Sequence, residues 1–440
     1  MNSKNCLLLI LLVSVINTLS SHTVGMIIVA TGKYHIFVKG LVESARKFFL
    51  PGHEKFFFVF TDQEIQQDHD IIKCYHERVG WPFDTLVRHH VSHRYRHVLS
   101  SMDYLYYCDA DTLFSGEIGD EILGDLVGAQ AFYHINNQQP YDIQRNSIAF
   151  VPEEKRKNYC SGSFYGGKSS EYLKMVKQLV KEVEQDWQNG FFATHHDESY
   201  LNHYFSDYQH FKLSPYCVVD CDWYAHLPRK ILQVEKDFSA MRFIESPQAQ
   251  TQHDQWWFDQ FSSQAEKMLR DFGGVDAASR KWVREHVIKS GFKTILDVGS
   301  GYGMDFFGYK KESPDIHYQG VEIIPYMVSL TRLMGAPVIE GSIEQLPFQD
   351  KQFQVVYARN LCEYLPTLDK ALNEMVRVAS SEVIVTVSKK RFDKELSDQE
   401  LYDLKSAFEN YCVKSSAIGV YQIYKGCKDE LIFIIKLSRR

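Results

Sequence analysis

The 440-residue chain carries no Asn-x-Ser/Thr sequon, no apolar run as long as a membrane-spanning helix needs, and no excess of basic charge. With 56 acidic against 49 basic residues and a net charge of -7, it lacks the broad positive field that grips a phosphate backbone, so no nucleic-acid partner is expected. Its nine cysteines, Cys6, Cys74, Cys108, Cys160, Cys217, Cys221, Cys362, Cys412 and Cys427, are too scattered for a disulfide scaffold and form no paired CxxC zinc module. They read as buried thiols. Cys217, Cys221 and His226 match no standard zinc spacing and also read as structural.

What is present is ordinary globular material: 45% hydrophobic and 14% aromatic residues over this length bury more than one core and predict two or three domains. The start, MNSKNCLLLILLVSVINTLSSH, has one lysine, an apolar run from Cys6 to Ile16 and small residues at Ser20 and Ser21. It reads as a signal peptide or short membrane anchor over residues 1–24. The expectation is membrane association through the N-terminus or a secretory destination, with orientation open; the missing sequon argues against secretion.

From Gly25 the pattern is α/β. GMIIVAT reads as a strand, His35 to Leu50 as a helix with Phe37, Leu41, Ala45 and Phe48 on one side, KFFFVFTD as a second strand, and YLYYC from Tyr104 as a third. Such continuous apolar runs point to strands covered on both faces, in a mainly parallel sheet. Ligands bind outside the carboxyl ends of these strands, where Asp62, Asp109 and Asp111 fall. Two carboxylates one residue apart repel unless a cation or proton intervenes, and a divalent ion that also holds a diphosphate satisfies both. A solvated loop satisfies them too, so the pair alone leaves both readings open.

The motifs VATGKY (Val29 to Tyr34), FVFTD (Phe58 to Asp62), WPFDTL (Trp81 to Leu86), DADTLF, SGSFYGGK (Ser161 to Lys168), HHDESYLNHY (His195 to Tyr204) and LSP (Leu213 to Pro215) occur in one order. Together they resemble glycosyltransferase family 6, the retaining sugar transferases that include the blood-group A and B enzymes and the α1,3-galactosyltransferases, over about Met26 to Arg242. The resemblance implies a GT-A-type fold in which Asp109 and Asp111 hold a divalent metal, manganese, against the diphosphate of a UDP-sugar. It puts Val29, Ala30, Thr31 and Tyr34 at the uridine, and Lys236 and Arg242 of VEKDFSAMR at the diphosphate. Aspartate at both metal positions implies metal dependence.

HHDES is a second chemical centre. By the same resemblance Glu198 is the catalytic anion near the β-face of the anomeric carbon, and His196 and Asp197 position donor and acceptor. On spacing alone the run also reads as a helix start, with Asp197 capping and Glu198 favouring the dipole. Three positions depart from the family pattern. Ala129 in AQAFY replaces an acceptor-contacting histidine, His195 replaces a tryptophan, and Ser161 and Ser163 stand at the donor-discriminating positions. Small side chains at those two leave room for an N-acetyl group, so UDP-galactose and UDP-GalNAc are both expected donors, with a glycan acceptor. A donor-contacting arginine is expected between Arg88 and Arg96, without a single residue marked.

ESPQAQTQ, Glu245 to Gln252, reads as a linker, placed at 246–255 between a transferase domain at 25–245 and a second domain at 256–440. Asp254 to Ser290 reads as helical and aromatic-rich. KTILDVGSGYGMDFFGY then reads as strand, glycine turn and helix start, where Gly299, Gly301 and Gly303 let a ligand approach the backbone. A glycine turn also serves plain packing, but YQGVEII puts Glu322 at the next strand end, where a carboxylate accepts both ribose hydroxyls. With EGSIEQLPFQDKQFQVVYARNLCEYLP following, the segment resembles the class I S-adenosylmethionine-dependent methyltransferases over about Trp256 to Lys436, a Rossmann-like seven-stranded fold. The resemblance implies that Asp297, Gly299, Gly301 and Gly303 cradle the methionine end of S-adenosylmethionine, Glu322 binds the ribose, Ser342 and Ile343 flank the adenine, and Asn360 follows the fourth strand. Glu363 and Tyr364 read as acceptor-side groups or as packing.

The expectation is a bifunctional glycan-modifying enzyme, transferring a sugar and a methyl group. The alternative is a methyltransferase whose first domain binds glycan or nucleotide sugar without catalysis.

Overall fold

The computed structural model describes residues 21–131, 140–219, 229–242, 264, 267–365, 368–389, 395–415, 418–425 and 430–438. Residues 1–20 of the expected leader, the expected linker, Cys221 and His226 lie outside them, whereas Thr23 and Val24, also placed in the leader, open the first strand. Among the described residues no helix is long and apolar enough to cross a membrane. Cys74, Cys108, Cys160, Cys362 and Cys412 are buried free thiols, as expected.

The chain forms two compact units. One comprises residues 1–78, 84–183 and 193–243, the other 79–83, 184–192 and 244–440. No composition shift in the sequence announces the two short upstream segments that belong to the second unit.

The first unit is built on β1 (Thr23–Val29), β2 (Glu54–Thr61), β3 (Ile71–Tyr75), β4 (Tyr104–Cys108), β5 (Thr112–Phe114), β6 (Leu126–Ala131), β7 (Cys160–Lys168), β8 (Phe211–Val219) and β9 (Ile231–Gln233). They form one sheet in the order β3-β2-β1-β4-β7-β6-β8-β9-β5. The apolar runs make β3, β2, β1 and β4 parallel, but β7 is antiparallel to both β4 and β6. The sheet is mixed but mainly parallel, as expected: β1, β2, β3, β4, β6, β8 and β9 run one way, and β5 and β7 run against them. Glycine permits this pairing: a Cβ on Gly166 would lie 2.2 Å from the Leu105 carbonyl oxygen, so no larger residue lets β7 run this close to β4. The first helix begins at Val38, because Gly32–Phe37 is a 3₁₀ turn. It buries Val38, Leu41, Val42 and Ala45 against the sheet, while Phe37 and Phe48 sit at the core's margin.

The second unit is built on β10 (Thr294–Val298), β11 (His317–Glu322), β12 (Val338–Glu340), β13 (Phe353–Arg359), β14 (Ala379–Ser388), β15 (Ile418–Lys425) and β16 (Glu430–Leu437), ordered β12-β11-β10-β13-β14-β16-β15. β10 to β14 pair in parallel, and β16 enters antiparallel between β14 and β15. Alternate residues feed two cores. Leu296, Val298, Val356 and Ala358 pack with Leu372 and Met375 of the helix Leu368–Val378, and Ile295, Val355 and Tyr357 pack with Val283 and Val287 of the helix Ala278–Lys289. Both faces are covered, which is why these strands read as unbroken apolar runs.

Candidate functional site

The carboxyl ends of β1, β2 and β4 gather the first set of candidate residues. Val29 ends β1; Ala30 is fully buried and donates its N–H to the Phe60 carbonyl at 2.8 Å, and Thr31 is buried beside it. Tyr34 is half-buried in the 3₁₀ turn. Asp62 accepts the Gly32 N–H at 2.7 Å and so closes this turn. Asp109 follows β4 and donates its N–H to the Ser163 carbonyl at 2.9 Å, which ties it to β7. Its Oδ1 accepts from the Tyr107 hydroxyl at 2.8 Å and from Arg88 Nη1 at 3.2 Å. Asp111 is 2% exposed, and its Oδ2 pairs with the Lys236 ammonium. Arg242 ends the short helix Phe238–Arg242, which Lys33 and Arg78 hold by donating to the Ala240 and Met241 carbonyls at 3.0 and 2.9 Å.

The donor set fits a divalent ion: two carboxylates at one strand end, one of them buried and drawing an ammonium, leave the other coordination positions to phosphate oxygens and water. Among the described residues the one three-ligand cluster, Asp68, His69 and Asp70, lies elsewhere and is already engaged by Arg46.

HHDES does open a helix, His196–Asp207, but His195 is its N-cap and Asp197 is not. Asp197 sits two positions past the cap, in the first turn, and its side chain is turned inward to Arg88. His196 holds a φ of +49°, uncommon for a residue with a Cβ, and its Nδ1 lies 3.1 Å from Thr85 Oγ1. Burial pushes the Asp197 carboxyl up to about 7, against the pull of Arg88. Glu198 accepts from the Tyr159 hydroxyl on Oε1 at 2.5 Å and from the Gly162 N–H on Oε2 at 2.6 Å. Burial raises its pKa, and these two donors hold it back. One helical turn on, Asn202 grips the Cys160 backbone at both N–H and carbonyl, at 2.7 and 2.9 Å, and pins the helix to β7. Ser161, Ser163, Glu198 and Asp109 are thus brought together around one stretch of β7.

Three members of this site escaped sequence reasoning. Arg88 is one of the three arginines in the stretch where a donor-contacting arginine is expected: Nη1 donates to the Gly162 carbonyl at 2.9 Å and to Asp109, and Nε lies 3.1 Å from Asp197 Oδ2. It therefore bridges both carboxylate centres. Tyr159 and Asn202 were the other two, and nothing in their spacing marks them. Ala129, in β6, is fully buried in the sheet core.

In the second unit Gly299, Gly301 and Gly303 take φ of +70°, +53° and +71° between β10 and the helix Met304–Glu312. A Cβ on Gly299 or Gly303 would strike Leu361 or Thr331, at 2.6 and 2.5 Å, whereas one on Gly301 would meet nothing within 4 Å. The turn is packed at both ends and open in the middle. Glu322 closes β11 with its carboxylate accepting from the Gly301, Ile323 and Ile324 N–H groups at 2.9, 2.9 and 3.1 Å. Burial raises its pKa against these donors. An acidic group at a strand end beside an open glycine turn fits an adenosine-bearing methyl donor. Ser342 and Ile343 follow β12, next to Glu322, whose carbonyl accepts the Gly341 N–H at 3.0 Å. Asn360 follows β13 with φ +49°, clasped by Thr386 through both its N–H and its Oδ1. Asp297 departs from the expected direct cradle: it faces the Ala278–Lys289 side of the sheet, where it accepts the Tyr318 hydroxyl at 2.5 Å. Burial, then the nearby Asp305, pushes its carboxyl up to about 8. Glu363 Oε1 accepts from the Ser388 N–H at 3.3 Å, and Tyr364 is buried.

The family model for glycosyltransferase family 6 matches residues 11–242, more than half of the chain, and a methyltransferase-domain model matches residues 296–387. Similar curated proteins include the globoside alpha-1,3-N-acetylgalactosaminyltransferase 1 of Homo sapiens, 30% identical over 200 residues, covering 42% of this chain and 56% of that protein. The protein of the same name from Canis lupus familiaris is 32% identical over 213 residues, 44% of this chain and 60% of that one. The histo-blood group ABO system transferase 1 of Rattus norvegicus is 28% identical over 246 residues, 52% and 68%. The chain thus spans roughly three fifths of the length of these relatives.

Proposed function

This chain belongs to glycosyltransferase family 6, joined to a methyltransferase domain, and on that premise we propose that its first unit transfers N-acetylgalactosamine or galactose from a UDP-sugar to a glycan with retention at the anomeric carbon. The observation that carries the reading is the fastening of Glu198 by Tyr159 and the Gly162 N–H, on the same β7 stretch that holds Asp109. A retaining transfer needs an anion fixed against the anomeric carbon, and Glu198 is fixed at both oxygens. Asp109 and Asp111 would hold a divalent ion, manganese, which supplies charge neutralisation to the leaving diphosphate. Lys236 and Arg242 share that diphosphate, Val29 to Tyr34 take the uridine, and His196 and Asp197 orient the two sugars. Small residues at Ser161 and Ser163 admit an N-acetyl group, in keeping with the N-acetylgalactosaminyl activity in the names of two relatives.

The second unit takes its methyl group from S-adenosylmethionine. Gly299, Gly301 and Gly303 receive the methionine end, Glu322 the ribose, and Ser342 and Ile343 the adenine, with Asn360 at the end of the fourth strand also on the cofactor; methyl transfer then proceeds by positioning. Union of both units in one chain points to methylation of the newly added sugar or a neighbour on the same glycan. The apolar leader ahead of β1, expected at residues 1–24, attaches the protein to a membrane or directs it to secretion, with Thr23 and Val24 themselves in the sheet.

The first test is UDP release from UDP-galactose, UDP-GalNAc, UDP-glucose and UDP-GlcNAc, with manganese or with chelator. Release is expected from a galacto-configured donor and falls at least about tenfold with chelator. Release from none of the four overturns the transferase reading. In the same preparation, Glu322→Ala is expected to weaken S-adenosylmethionine binding by roughly 10- to 100-fold in calorimetry, the loss of two charge-assisted hydrogen bonds.

A further inference from the structure

The second unit includes Val79–Phe83 and Glu184–Phe192, which lie inside the sequence matched to glycosyltransferase family 6. Within this unit Trp187 is fully buried, and its Nε1 donates to the Tyr302 carbonyl at 3.3 Å. Its ring meets the Tyr302 ring edge-on, with centroids 5.3 Å apart, and Phe83 closes the trio at 5.6 Å from Trp187 and 5.8 Å from Tyr302. The backbone follows the same path: the Val275 N–H donates to the Gln188 carbonyl at 2.8 Å, and a Cβ on Gly190 would come within 2.7 Å of Gly274 N.

Tyr302 stands between Gly301 and Gly303, in the turn read above as the methyl donor's seat, yet it is only 2% exposed, its ring packed against Trp187, Phe83 and Phe272. Three glycines at positive φ give that turn many alternative conformations at little steric cost. Bonds to Val321, Glu322 and Thr331 and the small buried Ser300 fasten one side of the turn, and the one large side chain that it sinks as an anchor on the other is the Tyr302 ring. The anchor's other half is supplied by Trp187 and Phe83.

We infer that Trp187 and Phe83 are positioning residues for the methyl donor: by clamping Tyr302 they hold the Gly299–Gly303 turn in the shape that accepts the methionine end. The inference rests on the methyltransferase reading of the second unit. It makes cofactor affinity depend on residues more than a hundred positions upstream of the glycine motif.

The test uses the full chain. Trp187→Phe removes the Nε1 donor and keeps an aromatic ring; Phe83→Leu keeps apolar volume and loses the edge-on contact. Each is expected to raise the S-adenosylmethionine Kd about fivefold, the worth of one ordinary hydrogen bond or ring contact, while UDP affinity stays within twofold. In the protein without any ligand, amide hydrogen exchange is expected to quicken at 299–303 and not in β10 and β13, which a general loss of packing would loosen together. Unchanged exchange at the turn, or cofactor affinity within twofold of wild type in both variants, overturns the inference alone. Wild-type protein that fails to bind S-adenosylmethionine overturns the methyl-donor reading and the inference with it.

Discussion

Replacing Glu198 by Gln is expected to lower sugar transfer by roughly a thousandfold or more while leaving UDP binding intact. The substitution removes the charge and little else. Tyr159 and the Gly162 N–H hold the two carboxylate oxygens at 2.5 and 2.6 Å, and a carboxamide fits the same space. Its oxygen faces the Gly162 N–H, and its NH₂ donates to the Tyr159 oxygen, so neither buried partner is orphaned. Stability follows from the sign of the pKa shift. Glu198 is raised by burial, so the folded state favours its protonated form; its contribution to stability is full below the unfolded value and is lost as pH rises through the folded one. The variant carries no such loss and should melt no lower than wild type at pH 7. Transfer rates with paired thermal melts check both parts. Unreduced transfer by a folded variant sinks the role of Glu198, whereas absence of transfer from wild type and variant alike restores the alternative of a first unit that only binds.

Arg88→Met is expected to be the most destabilising single change in the first unit, by about 3–5 kcal/mol, the usual result of stripping the partner from a buried charge. Arg88 is buried, donates to Asp109 and the Gly162 carbonyl, and pairs by charge with Asp197. Without it Asp197 stays buried with its main counter-charge gone. The pH dependence separates this from a simple packing loss. The Asp197 carboxyl, normally near 3.8, already stands at about 7 in the folded protein, and removing Arg88 raises it further. Protonation then relieves the defect, so the deficit should be largest above pH 7 and shrink towards pH 4. Denaturant unfolding of both proteins across that range measures it. A deficit that does not change with pH would mean that lost contacts, and not the stranded carboxylate, dominate. Arg88→Lys keeps the charge but cannot reach Asp109 and Asp197 together, and should fall between the two.

Much of the architecture was legible in the chain. Apolar runs ending in Asp109 and Glu322 located strand ends, because a strand covered on both faces has no use for charge until it emerges. Three glycines in five residues announced a turn with positive φ, which no other residue adopts so cheaply. HHDES announced a helix start, although the cap fell on His195. In each case the signal is local, carried by residues within a few positions of one another.

What local pattern could not carry was partnership across the chain. RHHVSHRYRH offers several equivalent cations, and only folding decides that Arg88 reaches Asp109, 21 positions away, and Asp197, far beyond. The chemistry of Tyr159 and Asn202 exists only because β7 and the helix His196–Asp207 meet. Asp297 reads as part of a ligand-binding motif, yet strand alternation turns it to the opposite face of the sheet, onto Tyr318. Trp187 and Phe83 sit in transferase sequence and pack in the second unit. The sequence by itself determined the elements, their turns and the residue types at the strand ends. Tertiary structure alone decided which charges are paired and which side chains hold the site in shape, since burial and contact depend on what distant segments bring to the same place.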